Sequence, residues 1–143
     1  MRNSFKSIGA IVAGFIVSAV LSFATDYVLQ SASILPNGNL YVSTALIWTV
    51  VLYRCSYIVV GSYVTARLAP KYPMRHVLVG GAIGFVLSIG AAIATADMNI
   101  GPAWYGWTLA ALALPSAWMG GTLYALRINH QNFKAVKSAD ERA

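Results

Sequence analysis

Arg54 stands near the middle of an apolar stretch, residues 43–68, that is long enough to cross a bilayer. A guanidinium stays protonated at any ordinary pH. At mid-membrane depth it costs about 2.5–3.5 kcal/mol on insertion scales. The fold must give this cation a partner or a polar cavity, so the rest of the chain is best read around that need.

Three more runs share the character of the first, at about 7–29, 75–96 and 103–126. Each is long enough to cross roughly 30 Å of hydrocarbon at about 1.5 Å per residue. The runs are continuous and do not alternate, which predicts helices and not strands. The expected fold class is an all-α membrane protein with four transmembrane helices in one domain, residues 1–127, followed by a cytoplasmic tail, 128–143. Composition agrees: of 143 residues 58% are hydrophobic and 10% charged, where a soluble domain is about a quarter charged. The net charge of +6 does not point to nucleic acid, because the cations flank the apolar runs and form no stripe. Ser22-Phe23-Ala24 resembles a signal-peptide cleavage site, but the apolar stretch from Ile8 to Ala24 exceeds a signal core of about 7–15 residues. The first run is therefore expected to remain as a span.

Orientation follows from Lys and Arg. Arg2 and Lys6 precede the first span, Arg67, Lys71 and Arg75 surround the second connection, and Arg127, Lys134, Lys137 and Arg142 follow the fourth span. The connections 30–42 and 97–102 hold none. By the positive-inside rule both termini are expected in the cytoplasm. Leu35-Pro36-Asn37-Gly38-Asn39 reads as a turn in an outer loop. Tyr27, Tyr41, Trp104, Tyr105 and Trp107 fit an outer aromatic belt, and Tyr72 and Tyr124 an inner one. The tail is expected to prolong the last helix for a turn or two and then fray.

Small residues recur every four positions in two spans: Ala10, Gly14, Ser18, Ser22 and Asp26 in the first, Gly80, Gly84, Ser88, Ala92 and Ala96 in the third. Spans two and four align at another offset through Ser56/Ser116, Gly61/Gly121 and Arg67/Arg127. The pattern suggests two parallel repeated helical hairpins. Small-residue stripes let backbones approach closely, so spans one and three are expected to meet at the centre. The competing expectation is that the stripes pack on spans two and four, or on a second protomer.

Asp26 is the only acid inside a span and is the favoured partner of Arg54. Matching the outer ends of spans one and two sets the pair roughly 12 Å apart along the axis, a gap two extended side chains nearly close. Pro115 lies near the same depth and frees the carbonyl of Ala111, a second source of acceptors. The expected ligand-binding site is Arg54, Asp26, Tyr53, Tyr57, Ser116 and Trp118. No paired acids, nucleophile elbow, phosphate loop or metal-ligand spacing is present, so neither an enzyme nor a cofactor is expected. His76 and His130 are far apart, and the single cysteine, Cys55, reads as an apolar filler.

Tyr53-Arg54, the run Gly61-Ser62-Tyr63-Val64-Thr65-Ala66-Arg67-Leu68-Ala69-Pro70, then Pro73-Met74-Arg75-His76, Trp104-Tyr105, and Leu114-Pro115-Ser116-Ala117-Trp118-Met119-Gly120-Gly121 together resemble a widespread set of small four-span bacterial inner-membrane proteins. The resemblance covers most of the chain from Gly14 to Gly121. It implies the fold and a bacterial inner membrane, and no activity. The expected function is that of a small polytopic membrane protein whose buried arginine binds an anionic or lipid ligand. The alternatives are a small transporter or channel, or an accessory subunit. The expected partners are the lipid bilayer and either a second copy of the chain or a larger membrane complex.

Overall fold

The computed structural model describes residues 2–36, 40–98 and 100–141, with side chains from Phe5 onward. Among the described residues four helices make up the fold: α1 Arg2–Ser31, α2 Thr44–Leu68, α3 Pro73–Thr95 and α4 Ala103–Asp140. Each is long and apolar enough to cross a membrane, the arrangement of a multi-pass membrane protein. The interior is inverted relative to a soluble bundle. Its largest fully buried side chains are Val50, Val51 and Val77, while Phe23, Leu52, Val86 and Leu126 are exposed. Small residues inside and large apolar ones outside are what lipid-facing helices require.

Local chemistry sets the helix ends. Past Ser31, Ser33 takes a left-handed backbone, φ 58°, and the amides of Ile34 and Leu35 return to the Leu29 carbonyl. This closes α1 and tucks Leu35 into the core. The turn residues Asn37-Gly38-Asn39 lie outside the described residues. Ser43 caps α2 by accepting from the Leu46 amide. Tyr72, φ 51°, makes the sharp turn into Pro73, which opens α3, and the Arg75 guanidinium lies 4.8 Å over the Tyr72 ring. At the opposite end the Leu40 amide donates to the Ile100 carbonyl, joining the two long connections. Helix α4 continues unbroken through Pro115 and on to Asp140. The tail is thus helical for more than three turns beyond Ile128, not for one or two. Its Lys, Ala and Gln content and its lack of Gly and Pro favour continuation.

The helices pack in the order α1, α2, α4, α3, and α2 also touches α3. Helices α1 and α3 barely meet, so the central contact expected between their stripes is not formed. Instead the stripe of α1 lies on α2: a Cβ on Gly14 would sit 2.6 Å from the Gly61 carbonyl oxygen. Glycine at both positions lets the two backbones touch. In the other hairpin Gly81 meets Ala117, Gly106 meets Ala92 and Gly121 meets Val77. Gly84, which the repeat aligns with Gly14, faces Phe15 across the gap and not Gly121. The two hairpins are therefore in different registers, as expected when connections of unequal length each fix their own.

Candidate functional site

Successive contacts hold α1 on α2 and lead up to Arg54. The Ser18 hydroxyl lies 2.9 Å from the Tyr57 carbonyl and 3.1 Å from the Gly14 carbonyl, able to donate to either. The Thr25 and Tyr57 hydroxyls are 2.7 Å apart. Above them, Arg54 Nη2 donates to Asp26 Oδ2 at 2.6 Å, and the Tyr53 hydroxyl donates to Asp26 Oδ1. Adjacent residues on α2 thus grip both oxygens of one carboxylate. The Tyr53 and Tyr57 rings are 5.7 Å apart and tilted at 46°, which braces the Tyr53 phenol.

The register explains why the pair closes without an intermediary. Arg54 lies three residues before Tyr57 and so stands level with Leu21, three residues after Ser18. Asp26 is five residues further along α1, about 7.5 Å, and not the 12 Å expected from matching helix ends. Helical side chains lean toward the helix N-terminus, so Arg54 reaches toward Asp26 over that distance. The glycine contact below sets this register.

The remaining expected residues divide. Ser116 is buried within α4. Trp118 does not join the site. Two residues beyond Ser116 it points about 200° round the helix, and it is 53% exposed. Pro115 and Ala111 lie on the exposed face of α4, and Arg54 makes no bond to the freed carbonyl. The carboxylate, and not bare backbone, meets the cation.

Tyr105, which the sequence places in an aromatic belt, lines the same cleft as Arg54. Its hydroxyl is buried without a partner, as is Arg54 Nε. The signal was helical phase. Tyr105 shares a face with Ser116, eleven residues on, whereas Trp104 and Trp107 fall on exposed positions. Trp104 packs instead on Trp48, with ring centroids 5.5 Å apart.

Arg54 and Tyr105 open onto a cleft of about 520 Å³ walled by α3, the start of α4 and the residues joining them. Asp26 does not line it. The cleft also receives Gly101, Pro102 and Ala103, where α4 begins with no side-chain cap and no acid in its first turn. Uncapped amides at a helix start carry partial positive charge. The cleft is thus lined by Arg54, by Tyr105 and by the residues that open α4. Among the described residues no cluster of His, Cys, Asp or Glu is placed to hold a metal ion. Comparison with family models, curated proteins and solved structures finds no match to this chain.

Proposed function

We propose that this chain is a small, non-enzymatic membrane protein of the bacterial inner membrane that binds an anionic group at Arg54. The observation carrying the reading is the pair of buried, unpartnered donors, Arg54 Nε and Tyr105 OH, beside one cleft. Buried polar atoms are normally satisfied, and an incoming oxyanion would supply the missing acceptors. Asp26 neutralises the cation from the α1 side and keeps it tolerable in lipid. The uncapped start of α4 favours negative charge on the cleft side.

Both termini are read as cytoplasmic. Arg67, Lys71, Arg75, Arg127, Lys134 and Lys137 all lie toward the end of the bundle that carries the 69–72 connection and the α4 extension. The cleft then opens toward the outer face.

Ethyl phosphate titrated into protein held in zwitterionic nanodiscs tests the site. Arg54→Ala should weaken binding about tenfold or more, the value of one to two charge-assisted hydrogen bonds. Arg54→Lys should keep part of the affinity, because an ammonium lacks the planar fork. Wild-type affinity in both variants would refute the reading.

A further inference from the structure

The cleft at Arg54 adjoins a second space along α3. Ser88 and Ala91 line the cleft, and the same two residues line this second cavity, of about 310 Å³, between α1 and α3. We infer that the anion bound at Arg54 is the head of a long-chain amphiphile whose hydrocarbon tail lies in this second cavity. The inference rests on the anion-binding reading above and adds the chemical class of the ligand.

The two spaces differ in chemistry. The upper one is lined by Arg54 and Tyr105, whose Nε and hydroxyl lie buried at its wall without a partner. The lower one is walled mainly by apolar side chains and glycine: Ile11 and Phe15 from α1, Ile58 from α2, and Val77, Gly80 and Gly84 from α3. The Ser18 hydroxyl on this wall is already committed to carbonyl oxygens of its own hairpin. A small anion would leave the lower space empty, and a neutral hydrocarbon would leave the upper donors unmet. A molecule with an oxyanion at one end and methylenes at the other satisfies both.

Length and access agree. The lower cavity follows α3 from Ser88 to Val77, eleven residues and about 16 Å of rise. That is close to one leaflet of hydrocarbon, half of about 30 Å. The cavity lies where α1 and α3 hardly touch, so a chain can enter sideways from the bilayer. Gly80 and Gly84 keep the floor clear: a Cβ there would meet only Ile11 at 3.5 Å or Phe15 at 3.6 Å. Larger side chains at these positions would fill the space the tail needs.

The test uses hexadecyl phosphate carrying a photoactivatable diazirine at its chain end, added to the full chain in zwitterionic nanodiscs, with labelled residues mapped by mass spectrometry. The expected label falls on Ile11, Phe15 and the segment 77–84, is displaced by unlabelled hexadecyl phosphate, and resists displacement by hexadecanol. Gly84→Leu should lower the label at these sites about tenfold, the effect of excluding two or more methylenes. Label spread over the outward residues Phe23, Leu52 and Leu126 in the wild-type protein would overturn the inference without any variant. Displacement by inorganic phosphate as readily as by the long-chain compound would also overturn it, assigning the site to a free anion. Ethyl phosphate separates this failure from failure of the site itself. If it binds through Arg54 while the long-chain probe misses the cavity, only the tail is refuted. If ethyl phosphate does not bind, both readings fall.

Discussion

The two hairpins share close packing of small residues but differ in what is added to it. Between α1 and α2 the Gly14–Gly61 contact is joined by polar contacts that run from Ser18 through Thr25 and Tyr57 to Asp26, Tyr53 and Arg54. Between α3 and α4, among the described residues, no side-chain hydrogen bond crosses. The fit comes from Gly81 on Ala117, Gly106 on Ala92 and Gly121 against Val77. The contrast teaches what each helix pair is for. Packing of small residues suffices to hold two helices in lipid. The polar series on α1 is more than adhesion requires, and its cost is justified by the cation it shelters. Because α2 holds α1 so closely, α1 stands off α3, and the space between them is the lower cavity.

Breaking the contrast should yield effects of graded size. The largest is expected for Arg54→Leu, which leaves the Asp26 carboxylate, 15% exposed, without its cation. The loss of about 3 kcal/mol would be read from unfolding in mixed micelles. An intermediate loss of about 1–3 kcal/mol is expected for Gly81→Val in the same assay, because the added atoms overpack the Ala117 contact. The smallest is expected for Tyr57→Phe, which removes only the bond to Thr25, about 0.6 kcal/mol. If Gly81→Val proved more damaging than Arg54→Leu, steric fit and not the polar series would dominate both hairpins.

Much of the fold was legible in the sequence, and the reasons are physical. Long apolar runs bounded by Ser43, Pro73 and Pro102 have few alternatives to helices, and the structure starts α2, α3 and α4 within two residues of the expected positions. The Asp26–Arg54 pair was legible because a buried cation needs an anion and the spans offer one. The register was not, because it depends on where Gly14 meets Gly61, and small residues recur too often for spacing alone to select that contact. Tyr105 was hidden by company: beside Trp104 and Trp107 it resembled a boundary aromatic, and only the phase of α4 turns it inward. Trp118 erred the other way, close to Ser116 in sequence but on the opposite side of the helix.

The account stands on α1 and α2 being joined through Asp26 and Arg54. A double-mutant cycle with Asp26→Leu, Arg54→Leu and the double variant, followed by unfolding in mixed micelles, tests that link directly. Each single change should destabilise, and the double variant should recover stability, with a coupling of about 1–3 kcal/mol. Losses that add to within about 0.5 kcal/mol would mean that the two residues do not meet in the folded protein, and the sheltered cation would have to be explained another way.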